Sequence, residues 1–156
     1  MKILAENKKA YFNYEILEKF EAGISLIGQE VKALKTRGGN LAGTYVVIKQ
    51  STEGKSPEAF WIGAKIHPYQ PKNAPLDYNP ERSRKLLLKK SEIKYLIGKS
   101  RQRGLTFIPL KIYTTRSGKI KLEFAIAKGK KKFDKRESIK KREVEKEIQR
   151  ELKIRG

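Results

Sequence analysis

The sequence has no cysteine, and it has one histidine among 156 residues. Without cysteine the chain can form neither disulfide bonds nor a thiolate metal site. The single histidine, His67, stands at the predicted end of a strand, and alone it supplies neither a metal site nor a serine triad. We interpret His67 as a turn or rim residue.

Long apolar runs are also missing. No stretch of about 18 apolar residues is present, so the sequence predicts no membrane-spanning helix. The apolar part of the N-terminal MKILAENKK is too short for a signal peptide. We therefore expect a cytoplasmic protein with no membrane partner.

Acidic residues are few: 17 Asp and Glu stand against 37 Lys and Arg. They are scattered among lysines and do not form the carboxylate cluster that a metal-dependent nuclease needs. Phosphate-binding loops of the GxxxxGK[ST] and GxGxxG types and the HExxH metal motif are absent. The sequence predicts no enzyme, no cofactor and no metal.

Positive charge is abundant, with a formal net charge of +20. A chain of this length suits one domain, and its 38% apolar content allows a small core. Such an excess of one sign implies a polyanionic partner: RNA, DNA or an acidic membrane surface.

The first half of the chain alternates strands with a short helix. Residues 14–27 predict a strand bent at Gly23, and residues 29–37 predict a helix ended by Gly38 and Gly39. Residues 44–50 and 58–67 read as a hairpin joined by a loop at 51–57. Residues 68–80 hold four of the six prolines and predict a long irregular loop.

The second half predicts a helix and another hairpin. Asn79-Pro80 is a helix-start signature for the short segment 81–88. Ser91 is the predicted N-cap of a helix over 91–103, closed by Gly104. Strands at 105–114 and 120–127 flank a tight turn.

Antiparallel hairpins with an inserted helix favour a mainly β fold. We predict a small antiparallel barrel of the oligonucleotide-binding type with about three helices. The barrel domain is expected over residues 1–127, followed by a basic tail over 128–156.

The tail holds thirteen Lys or Arg and six Asp or Glu, a net charge of +7. Past Ile139, Val144, Ile148 and Leu152 recur at helical spacing. This stripe is one residue wide and too narrow to hold a lone helix against the barrel. Two interpretations remain: a solvated, frayed tail, or a segment disordered when free that folds against nucleic acid.

Five blocks stand in a specific order: FEAGISLIGQEVKALK, AFWIGAKIHPY, RSRKLLL, IPLKIY and AKGKKKFDKRESIKKRE. Over about residues 6–150 the chain resembles the SsrA-binding protein family, also called small protein B. The resemblance implies a bacterial RNA-binding barrel that is not an enzyme. It implies binding to the tRNA-like domain of transfer-messenger RNA during trans-translation, the rescue of stalled ribosomes.

The resemblance also implies where the partners lie. The barrel would stand in place of a tRNA anticodon arm, as a monomer alongside elongation factor Tu on the charged RNA. The tail would lie in the ribosomal decoding region and the empty mRNA channel, where it becomes helical.

Family contact positions fall on residues of the barrel and of the tail. The implied RNA contacts, with the neighbouring cations expected to neutralise phosphate, are Asn7, Lys8, Lys9, Tyr14, Glu21, Lys32, Arg82, Arg84, Lys85, Leu87 and Lys121. The implied decoding-site residues are Lys128, Lys130, Lys131, Lys132, Phe133, Asp134, Lys135, Arg136, Lys140 and Arg142.

The side chains at these positions differ in the contacts expected of them. Tyr14 could stack on an unpaired base, and Glu21 is expected to accept from a base edge or orient a cation. Leu87 is the middle residue of three leucines, and such residues are more often core than contacts. Many family members carry histidine where this chain has Phe12 and Phe133, a change that keeps stacking and removes a hydrogen bond.

Three alternatives compete with this interpretation. Another basic barrel protein would bind rRNA or single-stranded RNA without a tRNA-like elbow. A nucleic-acid enzyme is opposed by the missing carboxylate cluster. A membrane-surface protein would need a wider apolar helix face than the tail offers.

Overall fold

The computed structural model describes residues 1–50, 54, 56–130, 140, 142–144, 146–148 and 150. Between residues 1 and 130, the described part of the chain forms seven strands, three α-helices and one 3-10 turn. The strands are β1 (Lys2–Glu6), β2 (Tyr14–Ile24), β3 (Tyr45–Lys49), β4 (Glu58–Ile62), β5 (Arg84–Leu87), β6 (Leu105–Thr114) and β7 (Ile120–Gly129). The helices are α1 (Ala10–Asn13), α2 (Gly28–Arg37) and α3 (Lys90–Ser100), and the 3-10 turn spans Pro71–Asn73.

The strands close into an antiparallel barrel. The sheet order is β1-β6-β3-β4-β5-β2-β7, and the additional pairing of β6 with β7 joins its two sides. β7 pairs along β2 from Gly129 opposite Tyr14 to Lys121 opposite Gly23. The predicted mainly β barrel is therefore confirmed.

The barrel interior is filled by large side chains from most of its strands. Trp61, Phe124 and Leu122 are at most 1% exposed. α3 contributes Leu96, which is fully buried in the same cluster, and α2 contributes Ala33 and Leu34. Each of these two helices thus turns apolar residues toward the barrel core.

A second, smaller cluster lies where α1 packs. Ala10 joins Ile108, Leu110, Ala125 and Ala127, with Tyr14 and Ile16 at its edge. Apolar residues on both sides of β6 and β7 explain why these strands read as continuous apolar runs rather than strict alternations. The run also contains Pro109, which is accommodated where the register of β6 shifts between Pro109 and Lys111.

Several predicted elements agree with the structure. The helix after Gly28 ends before Gly38, whose φ is +71° and where a Cβ would come within 2.6 Å of the Leu4 carbonyl oxygen. Glycine at this position is therefore required. Both predicted hairpins form, and β7 continues past the predicted end at 127 to Gly129.

Other expectations were wrong or incomplete. β1 and α1 were not predicted. Asn79 does cap a turn, since its Oδ1 accepts from the Glu81 N–H at 3.0 Å, but the chain then enters strand β5 rather than a helix. Ser91 is not the N-cap of α3, because the helix begins at Lys90 and Glu92 Oε1 accepts from the Lys89 N–H at 3.1 Å. β2 ends at Ile24, short of the predicted end at residue 27, and its pairing with β7 has a register shift between Ile16 and Glu18.

Candidate nucleic-acid interface

Four predicted RNA contacts line one open groove of about 580 Å³: Glu21, Lys85, Leu87 and Lys121. Gly23 of β2 explains why these distant positions meet. It pairs with Leu87 of β5 on one side and with Lys121 of β7 on the other. We call this cavity the Leu87 groove.

Leu87 points out of the barrel because β5 alternates. Arg84 and Leu86 are buried, whereas Lys85 and Leu87 are exposed. Leu87 is 57% exposed and Leu86 is 1% exposed. The middle leucine is therefore available to a partner, and its neighbour Leu86 is the core residue.

Glu21 has a fixed position on the rim of the groove. The hydroxyl of Tyr113, a buried residue of β6, donates a hydrogen bond to its Oε2. The carboxylate is thereby oriented before any ligand arrives, and its second oxygen is not engaged by this bond. This geometry suits the expected role of Glu21 as an acceptor from a base edge, a role that stays a prediction.

Charge in the groove is mixed. Lys89 and Lys90 join the two predicted lysines, and Glu58 and Glu92 join Glu21. Lys85 Nζ lies 3.5 Å from Glu58 Oε1, with both side chains about half exposed. Such a lining is suited to contacts with bases as well as phosphates.

Arg84 was wrongly predicted as a phosphate contact. It is fully buried, and its guanidinium donates to Glu30 Oε2 at 2.7 and 2.9 Å, to Ala64 O at 2.7 Å and to Pro80 O at 2.8 Å. A side chain enclosed in this way cannot reach a phosphate. Arg82 is largely committed to the same acid, because its Nε donates to Glu30 Oε2 at 3.2 Å and Nη2 also bonds Oε1.

The Glu30 network ties α2 to β5 and to the proline-rich loop. Besides the two arginines, the Tyr78 hydroxyl lies 3.0 Å from Glu30 Oε2, and the Ile27 N–H donates to Oε1 at 3.0 Å. Burial alone would raise the pKa of Glu30, but the hydrogen bonds from Arg82, Ile27 and Arg84 outweigh it and lower that pKa. Burial, followed by the bond to Glu30, raises the pKa of Tyr78.

Other predicted contacts lie around α1. Asn7 is 9% exposed, and its Nδ2 donates to Pro109 O at 3.0 Å, so its side chain holds β6. Asn7, Lys9 and Tyr14 line a separate cavity of about 170 Å³, together with Thr44 and Tyr45. Burial and a hydrogen bond with Tyr45 raise the pKa of Tyr14.

Two further predicted lysines line neither cavity. Lys8 is exposed before α1, and Lys32 is exposed on α2. The structure therefore places the predicted RNA contacts on more than one surface.

The tail begins at the end of β7. Lys128 is exposed, and Lys130 Nζ donates to Tyr11 O at 3.0 Å. Lys131, Lys132, Phe133, Asp134, Lys135 and Arg136 lie outside the described residues. Among those described, Lys140 and Arg142 are helical and exposed, and Arg142 Cζ lies 5.2 Å from the centroid of the Phe12 ring.

The helical spacing past Ile139 agrees with the tail residues that the structure describes. Residues 140, 142–144, 146–148 and 150 are all helical. Of the stripe, the structure describes Val144, which is 55% exposed, and Ile148, which is 52% exposed, so neither of these two side chains is buried. Disorder of the free tail stays a prediction.

Sequence reasoning singled out Gly23 only as a strand bend, and it did not assign Gly23, Lys89, Lys90 or Tyr113 to the candidate site. It also missed Glu30, for which a signal existed. Glu30 lies one turn before Leu34 on α2, and an acid on the apolar side of a helix needs a buried partner.

Among the described residues, no cluster of three His, Cys, Asp or Glu side chains is placed to hold a metal ion. In the same part of the chain, no helix combines the length and the apolar content needed to cross a membrane.

Known proteins resemble this chain over most of its length. The SmpB protein family model matches residues 4–154. The SsrA-binding protein of Thermosipho africanus is 50% identical over 98% of both chains, and that of Syntrophobacter fumaroxidans is 48% identical over 96% of this chain and 88% of that protein.

A solved structure gives the same result. A chain described under "tmRNA-SmpB: a journey to the center of the bacterial ribosome" aligns with a TM-score of 0.62 and 39% identity, covering 86% of this chain and 92% of that one. The fold and the sequence therefore agree: the chain belongs to the SmpB protein family.

Proposed function

We propose that this protein binds the tRNA-like domain of transfer-messenger RNA and brings it to stalled ribosomes during trans-translation. The observation that carries this proposal is the Leu87 groove, where an exposed leucine, an oriented carboxylate and lysines from β5, β7 and the start of α3 converge. Membership of the SmpB family supports it, as does the likeness to a structure whose name joins tmRNA, SmpB and the bacterial ribosome.

The barrel contacts RNA through the groove residues Glu21, Lys85, Leu87 and Lys121. Lys8, Lys9, Lys32 and Tyr14 contribute phosphate contacts or stacking from the neighbouring surfaces. The barrel takes the place of an anticodon arm. The tail, from Lys128 onward, lies along rRNA in the decoding region and the empty mRNA channel. We propose that the protein acts in the cytoplasm as a monomer, alongside elongation factor Tu, without cofactor or catalysis.

RNA binding is expected to weaken steeply with salt. If about five phosphates are neutralised, log affinity plotted against log salt should have a slope of about −3.5 to −4.5, taking roughly 0.7–0.9 per phosphate. The measurement is a titration of the tRNA-like domain at several salt concentrations.

Lys85→Gln should make that slope shallower by about 1. Lys72→Gln, which removes the same charge from the proline-rich loop outside the groove, is the matched control and should change it little. A slope near zero in the unmodified protein would show that its charge is incidental to RNA binding.

A second prediction concerns the tail segment GKKKFDKR. Phe133→Ala should reduce rescue by about 5- to 150-fold, since stacking on a base is worth about 1–3 kcal/mol. Phe133→His retains a stacking ring and should be nearly silent. Both variants are measured by tagging of a nascent chain on an mRNA without a stop codon.

Asp134→Asn separates a defined bound structure from a purely electrostatic tail. If the segment adopts one geometry on rRNA, this variant should impair rescue and leave affinity for transfer-messenger RNA unchanged. If only charge matters, removing a negative group should improve rescue, and that result would contradict the decoding-region assignment.

The remaining alternative is another basic barrel that binds rRNA or single-stranded RNA. Sequencing the RNA that co-purifies with the protein distinguishes the two. Enrichment of one RNA with a tRNA-like end supports our proposal, whereas a spread of rRNA fragments without that RNA would refute it.

A further inference from the structure

Another cavity, of about 360 Å³ and distinct from the one around α1, adjoins the Leu87 groove. Both cavities are lined by Gly23, Leu87 and Lys121. Leu87 is 57% exposed and lines both, so its side chain lies where the two cavities meet. We call this adjoining cavity the Val31 pocket, after its residue from α2.

The position of the Leu87 side chain depends on Gly23. A Cβ at Gly23 would lie 3.3 Å from both Cβ and Cδ1 of Leu87. The missing side chain on β2 therefore lets Leu87 rest close to the strand, between the two cavities. An alanine at position 23 would require the Leu87 side chain to shift.

The Val31 pocket differs chemically from the groove. Ile24, Leu26 and Val31 are partly buried and, with the buried Ile120, give it apolar walls. Lys119 and Lys121 are its charged lining residues, and no carboxylate is among those that the structure describes around it. Lys35 Nζ adds a third cation nearby, 3.6 Å from where a Gly118 Cβ would be.

Apolar walls beneath lysines suit an unstacked base with its flanking phosphates. The groove on the other side of Leu87 has the oriented Glu21 and is suited to a base edge. Leucine is one of the apolar side chains that proteins insert between neighbouring bases. An acidic or apolar peptide would fit less well, because the pocket continues directly into the proposed RNA surface.

We propose that Leu87 is a wedge between two consecutive unpaired nucleotides of the bound RNA. The edge of one base faces Glu21 in the groove, and the face of the other packs in the Val31 pocket. This inference rests on the proposed function and adds to it a second base site, together with the roles of Leu26, Val31 and Lys119.

Methyl NMR of the full chain, titrated with the tRNA-like domain of transfer-messenger RNA, tests the wedge. Ring currents from a packed base should shift the methyl signals of Leu26, Val31 and Leu87. Leu17 of β2 is the internal control, since it is 49% exposed and lines neither cavity. Its methyl signals should stay in place.

Substitutions provide the second arm. Leu87→Ala should weaken RNA binding about tenfold or more, because burial of a leucine contributes on that scale. Gly23→Ala, which displaces Leu87 and keeps every charge, should weaken binding in the same direction. Leu17→Ala should change affinity less than about twofold. Unfolding midpoints establish that each variant is folded.

The outcomes are distinct. Methyl shifts in both cavities, together with weaker RNA binding by Leu87→Ala, support the wedge. Tight binding with shifts at Leu87 alone, and none at Leu26 and Val31, would overturn the second base site and leave the proposed function standing. Failure of the unmodified protein to bind this RNA would overturn both.

Discussion

Deletion of residues 132–156 is expected to abolish rescue of stalled ribosomes while the barrel still folds and binds RNA. In the part of the chain that the structure describes, the strand pairings precede the cut, since β7 ends at Gly129 and the Lys130 N–H donates to Asn13 O at 2.9 Å. The described barrel–tail contact that is lost is the packing of Arg142 over Phe12, a cation–π interaction worth about 0.5–1 kcal/mol at an exposed site. The free energy of unfolding should therefore fall by no more than about 1 kcal/mol.

Three measurements on the shortened chain check this prediction: denaturant unfolding, affinity for the tRNA-like domain, and nascent-chain tagging. A matched control keeps the length and composition of the tail but scrambles residues 130–142. If the tail acts through a specific bound structure, the scrambled chain should also fail to rescue. Rescue by the truncated chain would refute the tail's proposed role, and rescue by the scrambled chain would reduce that role to charge.

Glu30→Gln is expected to lower the free energy of unfolding by about 3–5 kcal/mol, the range for removing one partner of a buried ion pair. Arg84 has no exposed surface, and its charge would lose its counterion in the barrel wall. The acceptor for the Ile27 N–H at the start of α2 would also be weakened. Few single changes on this chain should cost as much.

Glu58→Gln is the matched control, because it removes an acid from the half-exposed pair with Lys85. Exposed pairs contribute about 0–1 kcal/mol, so this change should be minor. Equal effects of the two substitutions in denaturant unfolding would contradict the importance assigned to the Glu30 network.

The pH dependence of stability has a defined sign. Because the pKa of Glu30 is lowered by folding, its ionised form stabilises the protein above the unfolded-state value of about 4.3. That stabilisation is lost as pH falls through the lower folded-state pKa. The acid limb of a stability–pH curve should therefore be shallower in Glu30→Gln than in the unmodified protein.

Local patterns predicted much of the fold. Gly38 and Gly39 predicted the end of α2, and the run 105–114 matched β6 residue for residue. These signals succeed because turns, caps and apolar runs depend on neighbouring residues. The pattern failed at 81–88, where Asn79-Pro80 resembles a helix start and pairing with β4 and β2 makes strand β5 instead.

The candidate site was less accessible to such reasoning. Arg84 and Lys85 are adjacent basic residues, and only strand register decides that one is buried and the other exposed. The same holds for Leu86 and Leu87. The meeting of Glu21, Leu87 and Lys121 arises from pairings between β2, β5 and β7 that no local window contains.

The closing strand has a consequence for biosynthesis. Among the described residues, β7 is the last strand to be synthesised, and it seals both β2 and β6. A nascent chain released before residue 120 would leave long edges of two strands unpaired, a template for aggregation. A copy that stops before β7 is thus left with an open barrel and exposed edges, so synthesis through Gly129 is itself the condition for obtaining a folded barrel.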